Sequence, residues 1–320
     1  MVAARSLDDM MGAIRAFQES RVFLTALELD LFRALGEGST APAVAACVGA
    51  NARAMEMLLN ALVALGSLEK TESVFRCTSE AKAFAASRAE LMHTVRRWDT
   101  WSTLTDCVRT GTTTKKPGAK RDQDGTEDFI GAMHARAGRV ADQVVLAIGA
   151  ERVTRMLDLG GGPATFTIAF ARAHSGLHAE VLDLASVVPI AERHIRESGL
   201  SDRVKTRVGD LRSDPFGQGY DLILASAVCH ILDEAENQDL FRRCARALGP
   251  KGRLVIREFI LAPDRTQPKE AALFALNMLT ATTRGNVYTE AEYREWLSAA
   301  GFQNITRQRN GEDLIVASRS

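Results

Sequence analysis

The sequence predicts an α/β protein, with a C-terminal Rossmann-like, doubly wound and mostly parallel sheet after an all-helical, winged-helix-like N-terminal domain. From Val153 onwards, short apolar runs alternate with helical patterns, which is typical of parallel strands joined by crossover helices. The first of these runs ends in three consecutive glycines, residues 160–162, which indicates a tight turn before a helix. Three helical patterns followed by a short hairpin predict the N-terminal domain.

Length and composition are those of a two-domain globular chain. The 320 residues suggest two domains, and we expect them to span 1–105 and 106–320. Forty basic residues balance forty acidic ones, so no bulk charge attracts nucleic acid or an anionic membrane surface. No signal-peptide pattern and no long apolar run are present. Five scattered cysteines without a CxxC pair indicate reduced thiols, a cytoplasmic protein and no zinc site.

The N-terminal domain is predicted from three helical patterns and a hairpin, at residues 7–36, 41–48, 51–65 and 68–77. One function of a winged helix is DNA binding. The helix that would enter the DNA groove carries only Arg53 and Glu56 as charges, whereas DNA affinity depends on neutralising phosphates. The apolar character of this helix therefore favours packing against a partner chain.

Two helical patterns, at 88–110 and 129–148, flank a polar stretch over 110–128 that predicts a loop or mobile flap. The first of these helices contains Trp98 and Trp101. Their rings either stack on a planar substrate or fill an interdomain core.

The sheet is expected to contain five parallel strands, at 155–159, 179–182, 204–208, 220–225 and 253–259, with helices at 164–173, 187–199 and 234–248. Two more helices at 270–280 and 290–300 precede two closing strands at 304–308 and 314–317. Ligands of open parallel sheets bind at the carboxyl ends of the strands. Each of the five strand ends carries a polar or glycine feature, namely the glycine turn, Asp183, Gly209-Asp210-Leu211, Ser226 to His230, and Glu258.

Two ligands compete for this pattern. A dinucleotide prefers G-x-G-x-x-G with an acid about 20 residues further on, but here Thr165 replaces the third glycine. S-adenosyl-L-methionine has no pyrophosphate. It needs open backbone beside its methionine part and acids for the ribose and the adenine. Asp183, which lies 183 − 162 = 21 residues beyond the last glycine, suits the ribose, and Asp210 with Leu211 suits the adenine. The three strand ends together favour S-adenosyl-L-methionine.

His230 is the candidate base. It lies just beyond the fourth strand on the ligand side, and imidazole groups exchange protons near neutral pH. Glu258 at the neighbouring strand end is placed to orient it. The competing interpretations are a structural histidine in a loop and a solvated glutamate at a strand end.

The chain resembles the class I S-adenosylmethionine-dependent methyltransferases, and more closely the homodimeric small-molecule O-methyltransferases of the caffeate, acetylserotonin and polyketide-tailoring type. The resemblance covers nearly the whole chain. Its segments are Leu157-Asp158-Leu159-Gly160-Gly161-Gly162, Val181-Leu182-Asp183-Leu184, Arg203-Val204 through Gly209-Asp210, Val228-Cys229-His230, Pro250-Lys251-Gly252-Arg253, Leu276-Asn277-Met278-Leu279, Gly285 and Ala300-Gly301-Phe302. It implies that the N-terminal domain is a dimerisation module whose helices border the partner's substrate pocket.

The resemblance also implies roles for individual residues. His230 would be the general base and Glu258 the acid that orients it. The cofactor-binding set comprises Gly160, Gly162, Asp183, Leu184, Gly209, Asp210, Leu211, Ser226, Met133 and Phe129. The acceptor pocket would include Trp98, Trp101, Asn277 and Met278. No metal is needed.

The chain departs from the family pattern at three positions. The run His-Asp-Trp-x-Asp reads His230-Ile231-Leu232-Asp233, a second acid near Gly285 is replaced by Val287, and a lysine of many plant members is replaced by Ser226. These changes place a complete His-with-two-acids arrangement in question and point away from plant phenylpropanoids.

The predicted reaction is in-line methyl transfer to a hydroxyl, taken to be phenolic, while His230 removes the hydroxyl proton. The alternatives are methyl transfer to nitrogen, carbon or sulfur, a nicotinamide-dependent oxidoreductase, and a DNA-binding regulator.

Overall fold

The computed structural model describes residues 4–115, 123–309 and 311–319, and it divides the chain into two units, one ending at Trp98 and the other beginning at Asp99. The expected boundary between 105 and 106 lies seven residues further along (105 − 98 = 7) and stays a prediction. Within the described residues no helix is long and apolar enough to cross a membrane.

The N-terminal unit contains six helices in the part of the chain that is described, and a seventh helix runs on into the next unit: α1 (Leu7–Arg15), α2 (Phe17–Glu28), α3 (Leu31–Leu35), α4 (Ala41–Val48), α5 (Ala52–Ala64), α6 (Ser79–Ala86) and α7 (Arg88–Ser102). Three short strands form an antiparallel sheet, β1 (Ser39–Thr40), β2 (Leu68–Thr71) and β3 (Val74–Cys77), in the order β1-β3-β2. The predicted hairpin is therefore confirmed, and the expectation of an all-helical domain is wrong.

The single helix expected over residues 7–36 is three helices. Asp30, just before α3, has φ +53°, a left-handed conformation that an α-helix cannot continue through. Side chains cap other helices of this unit: the Ala54 N–H donates to Asn51 Oδ1 at 3.1 Å before α5. Apolar spacing continues across the breaks, which is why periodicity alone did not reveal them.

The C-terminal unit continues with α8 (Leu104–Thr110), α9 (Gln123–Gly138) and α10 (Ala141–Ile148). The loop expected over 110–128 is wrong in its last part, because α9 begins at Gln123. Acidic residues are stabilised in the first turn of a helix by its dipole, so the polar composition suits a helix start as well as a loop. Residues 116–122 of that prediction lie outside the described residues.

The remaining elements are β4 (Arg155–Leu159), α11 (Thr165–Ala173), β5 (His178–Asp183), α12 (Val188–Glu197), β6 (Val204–Val208), β7 (Tyr220–Ser226), a 3₁₀ turn (Cys229–Ile231), α13 (Glu234–Ala247), β8 (Leu248–Arg257), β9 (Ile260–Leu261), α14 (Lys269–Ala281), β10 (Tyr288–Thr289), α15 (Glu290–Ala299), β11 (Asn304–Arg309) and β12 (Asp313–Ser318). Seven strands form the main sheet in the order β11-β12-β8-β7-β4-β5-β6. Strands β8, β7, β4, β5 and β6 are parallel, and β12 and β11 are antiparallel at one edge. The doubly wound, mostly parallel sheet is therefore confirmed.

Both faces of the sheet are buried, because strand residues alternate between two apolar cores. In β7, Ile223 and Ala225 pack with α13 and α15, whereas Leu222 and Leu224 pack with α10, α11 and α12. The strand order reverses at β4, which pairs with β5 on one side and β7 on the other. The carboxyl ends of β4 and β7 therefore border the crevice in which a ligand of this fold binds.

Candidate active site

The glycine turn after β4 leaves no space for a side chain at its first two positions. Gly160 has φ +62°, and a Cβ there would lie 2.6 Å from Val228 Cγ1, beyond the end of β7. A Cβ on Gly161 would lie 2.7 Å from the Asp158 carboxylate. Gly162 has φ +55°. Glycine is thus required at 160 both by conformation and by space, and the turn presents bare backbone to the crevice.

Asp183 at the end of β5 is bound to this turn. Its Oδ2 accepts the Gly162 N–H at 2.8 Å, and its Oδ1 accepts the Leu184 N–H at 2.7 Å. Burial raises the pKa of Asp183, and the two N–H donors act against that rise. Each carboxylate oxygen has a further lone pair, so the group can accept two hydroxyl donors as a ribose diol offers them. The Leu184 side chain is exposed beside it.

The loop after β6 is ordered by its own hydrogen bonds. Gly209 permits close packing on β5, because a Cβ there would lie 2.7 Å from Leu182 Cδ1. Asp210 Oδ1 accepts the Arg212 N–H at 2.9 Å. The Leu211 carbonyl accepts Arg243 Nη2 at 2.5 Å, and Leu211 packs against the core on the α13 side of the sheet. The structure thus brings the predicted ribose and adenine residues to one edge.

His230 and Glu258 are in direct contact. His230 Nδ1 lies 2.8 Å from Glu258 Oε2. Glu258 Oε1 accepts the backbone N–H groups of Cys229 at 2.8 Å and His230 at 3.3 Å, and the Glu258 side chain is completely buried. Since a carboxylate accepts and cannot donate, Nδ1 carries the hydrogen and Nε2 keeps its lone pair. The Phe274 ring packs edge-on against the imidazole, with ring centroids 4.8 Å apart.

Helix α9 lies beside the glycine turn. A Cβ on Gly162 would lie 3.8 Å from Ile130 Cδ1 of α9, and His134 Nδ1 lies 2.8 Å from the Thr165 hydroxyl at the start of α11. Phe129 packs with Ile130 and two residues around the start of α12, Val187 and Ile190. Met133, one turn after Phe129, is partly buried. The helix that carries Phe129 and Met133, both predicted to bind the cofactor, therefore borders the crevice.

Ser226 ends β7, and its hydroxyl lies 3.5 Å from Arg257 Nη1. The guanidinium of Arg257 lies 5.2 Å from the Phe166 ring centroid. Ser226 therefore faces the α11 side of the sheet.

Two of the four residues predicted for the acceptor pocket are joined by a hydrogen bond. The Trp101 indole N–H donates to Asn277 Oδ1 at 3.1 Å, which joins two of the four. Met278 is buried on α14. Trp98 packs against the core of the N-terminal unit, and the Arg21 guanidinium lies 5.5 Å from its ring centroid. Their roles in acceptor binding stay a prediction.

Sequence reasoning assigned no role to Asp158. Its carboxyl is buried under the glycine turn, one oxygen accepts the Thr167 hydroxyl at 2.6 Å, and the other makes no hydrogen bond to the described residues. Burial raises its pKa to about 7; the Thr167 hydrogen bond opposes this rise, and the nearby Asp183 adds to it. The available signal was an acid in an otherwise apolar strand, Met156 to Leu159. Phe274 was also missed, and its helical pattern gave no sign that it would contact the His230 ring.

This fold, with a glycine turn, two acids at successive strand ends and a crevice at the strand reversal, is that of the α/β methyltransferase class, whose cofactor contains adenosine. Sequence comparison agrees. A model of the O-methyltransferase domain matches residues 101–303, and a model of the O-methyltransferase dimerisation domain matches residues 11–87. The chain belongs to this O-methyltransferase family, and it is a methyltransferase that uses S-adenosylmethionine.

Two bacterial relatives and one solved structure illustrate the similarity. A 3-hydroxy-5-methyl-1-naphthoate 3-O-methyltransferase from Streptomyces sahachiroi is 31% identical over 91% of this chain and 88% of its own. The tetracenomycin polyketide synthesis 8-O-methyl transferase TcmO from Streptomyces glaucescens is 30% identical over 98% of this chain and 97% of its own. Human N-acetylserotonin methyltransferase in complex with S-adenosylmethionine is 25% identical, with a TM-score of 0.84 over the full length of both chains. The nicotinamide-dependent and DNA-binding alternatives receive no support from these matches.

Proposed function

We propose that the protein transfers a methyl group to a phenolic hydroxyl of a small aromatic molecule, with His230 as the general base. The observation that carries this proposal is the contact between His230 Nδ1 and Glu258 Oε2 at 2.8 Å. It holds the imidazole in the tautomer whose Nε2 can accept a proton.

Glu258 is a positioning residue in this scheme. It accepts the imidazole N–H and two backbone N–H groups, so both the ring and its backbone are held by one buried carboxylate. Edge-on packing by Phe274 limits rotation of the ring. The base is therefore pre-oriented before the acceptor arrives, which is the condition for efficient proton transfer.

The proposed cofactor contacts follow from the strand ends. Gly160 and Gly162 offer open backbone to the methionine part, Asp183 binds the ribose, and Asp210 with Leu211 borders the adenine. Leu184, Gly209, Ser226, Phe129 and Met133 complete the proposed cofactor site. S-adenosylmethionine supplies the electrophilic methyl group when it is bound.

A base is needed because a free phenol has a pKa of about 10 and is mostly neutral near pH 7. As the hydroxyl oxygen attacks, its proton passes to His230 Nε2. General-base catalysis of this kind contributes roughly a hundredfold or more, and alignment of the reacting atoms provides much of the remaining acceleration.

An aromatic acceptor is supported by two observations. Phe274 lies against the base and also packs with Phe259, with ring centroids 4.5 Å apart, and Phe259 is partly exposed. One relative is named for 3-O-methylation of a hydroxynaphthoate, which is a fused aromatic, and another for tetracenomycin polyketide synthesis.

The test measures methylation of a hydroxynaphthoate acceptor by wild type, His230→Ala and Glu258→Gln. We expect His230→Ala to lower kcat about a hundredfold or more, because the base is lost, while calorimetry shows unchanged adenosylmethionine affinity. Glu258→Gln should lower kcat less, because the imidazole remains. Wild-type turnover retained by His230→Ala would contradict the assignment. Mass spectrometry and NMR of the product identify the methylated atom, and an N-, C- or S-methyl product would overturn O-methylation.

We further propose that the protein is a homodimer and is cytoplasmic. The dimerisation-domain match supports the first statement, as does an exposed apolar segment around α1, in which Leu7 is 70% and Ile14 is 67% exposed. Light scattering should give twice the chain mass, and Leu7→Glu with Ile14→Glu should shift it towards monomer. Five free cysteines support the proposed cytoplasmic location, because disulfides are rare there.

A further inference from the structure

The segment that follows α14 packs directly on the backbone of His230. A Cβ on Gly285 would overlap the His230 carbonyl oxygen, and it would also lie 2.7 Å from Thr282 Oγ1 and 3.1 Å from Ile231 Cα. Two of these three neighbours are backbone atoms, which cannot move aside as a flexible side chain can. Gly285 does not have a left-handed φ, so this position requires glycine for space and not for conformation.

Hydrogen bonds to the end of α14 fix the position of Gly285. Its N–H donates to Thr282 Oγ1 at 2.9 Å, and that hydroxyl donates to the Met278 carbonyl at 2.8 Å. The same helix carries Phe274, which packs on the His230 ring. Helix α14 therefore contacts the imidazole through one side chain and the His230 backbone through the turn at its end.

Three further contacts hold the segment that follows α14 in place. Arg284 Nε lies 3.2 Å from Asp233 Oδ2, and the Tyr288 hydroxyl donates to the Leu232 carbonyl at 2.5 Å. Strand β10, which begins at Tyr288, pairs in parallel with β9 at Ile260, two residues after Glu258. The segment from Thr282 to Tyr288 thus connects the His230 turn with the strand end that supplies the orienting acid.

We propose that Gly285 is a positioning residue for His230: its missing side chain lets the α14 turn seat against the His230 carbonyl and sets the imidazole on Glu258. The inference rests on the proposed function, in which His230 is the base. A side chain at 285 would push the turn of Cys229 to Ile231 away from α14. The 2.8 Å contact between His230 Nδ1 and Glu258 Oε2 would be lost, although neither residue had been changed.

The first measurement is NMR of ¹⁵N-histidine-labelled protein, with His230→Ala used to assign the His230 signal among six histidines. In Gly285→Ala we expect the His230 Nδ1–H signal to shift or to be lost through exchange with water, while the other histidine signals are unchanged. Gly138→Ala is the matched control, because a Cβ there meets nothing within 4 Å. An unchanged His230 signal in Gly285→Ala would overturn the inference.

The second measurement is a double-mutant cycle with a hydroxynaphthoate acceptor. Gly285→Ala should lower kcat by about a hundredfold, as ångström-scale misplacement of a reacting group does, with little change in acceptor KM or adenosylmethionine affinity. If Gly285 acts through His230, the double variant with His230→Ala should be no slower than His230→Ala alone. A fully additive loss would show a merely structural role and overturn the proposal.

A less disruptive variant tests the same proposal if Gly285→Ala does not fold. Thr282→Val keeps the shape of the side chain and removes only the hydroxyl that accepts the Gly285 N–H. It should lower kcat less than Gly285→Ala does and show the same non-additivity with His230→Ala; additivity here would also contradict the inference. If His230→Ala alone keeps full turnover, the proposed base fails and this inference fails with it. If His230→Ala loses turnover and Gly285→Ala does not, only the inference fails.

Discussion

The buried carboxyl of Asp158 should make the stability of this enzyme depend on pH in a measurable way. Asp158 is 1% exposed, and its hydrogen-bonding partner Thr167 is fully buried. Burial raises its pKa from 3.8 to about 7, with the Thr167 hydrogen bond lowering it and the Asp183 charge raising it. The substitution Asp158→Asn keeps the size of the group and an oxygen for Thr167, and it removes the titration.

The magnitude follows from the pKa of Asp158 in the folded and unfolded chains. The difference between 3.8 and about 7 is roughly three pH units, which corresponds to about 4 kcal/mol. Because the folded pKa is the higher one, the contribution to stability is fully present below pH 3.8 and is lost as pH rises through 7. The free energy of unfolding of wild type, minus that of Asp158→Asn, should therefore fall by about 3 kcal/mol between pH 4 and pH 7, which is most of the full effect.

Urea denaturation of the cofactor-free protein at several pH values measures this difference. Titrating groups that do not interact with Asp158 are common to the two proteins and cancel; Asp183, whose charge contributes to the raised pKa of Asp158, is the exception. Asp221→Asn is a control with the opposite expected sign. Burial raises the pKa of Asp221, but the hydrogen bonds from Thr154 and Arg155 lower it more, so that its pKa in the folded protein lies below the ordinary value. The contribution of Asp221 to the free energy of unfolding is therefore present above its ordinary pKa of 3.8 and is lost at lower pH. If the stability difference between wild type and Asp158→Asn stays constant or grows with pH, then burial does not raise the pKa of Asp158 in the folded protein.

Two further predictions concern the cofactor edge. Gly160→Ala should abolish adenosylmethionine binding in calorimetry. The new Cβ would lie 2.6 Å from Val228 Cγ1, and the residue would have to keep a left-handed conformation. If the variant still binds adenosylmethionine, this turn does not line the cofactor site. Arg243→Met should weaken adenosylmethionine binding about tenfold or more without changing acceptor KM, because a charged donor to the Leu211 carbonyl is worth about 1.5–3 kcal/mol; unchanged affinity would mean that the loop holds its position without this hydrogen bond.

Local pattern was sufficient for most of the C-terminal sheet. Strands β4 and β6 have the bounds that alternation predicted, and β5 and β7 differ by one residue at their ends. The central strands β4 and β7 have a strong signal because they are buried on both faces; β6 is more polar and lies at the sheet edge. The long helices were less well predicted, since apolar spacing persists through breaks such as the one at Asp30.

The candidate site was predictable where it depends on strand ends. Parallel strands share one carboxyl edge, so Asp183 and Asp210 could be placed together, and Glu258 could be placed beside His230, before any contact was known. The contact between Trp101 and Asn277 links residues 176 positions apart, and no local pattern reports such a pairing. The surroundings of Trp98 could not be predicted from local pattern either, because its helix runs across the division between the two units.

The α/β class, the glycine turn, the strand ends at Asp183 and Asp210 and the nearness of His230 to Glu258 could be read from the sequence alone, because each depends on short-range periodicity or on the end of a strand. The contacts between atoms of distant segments became visible in the folded structure. It placed Asp158 under the glycine turn, Phe274 on the imidazole and Gly285 against the His230 carbonyl. Such contacts depend on how α14 and the sheet pack together, and packing is a property of the folded chain that the spacing of residues along one element does not contain.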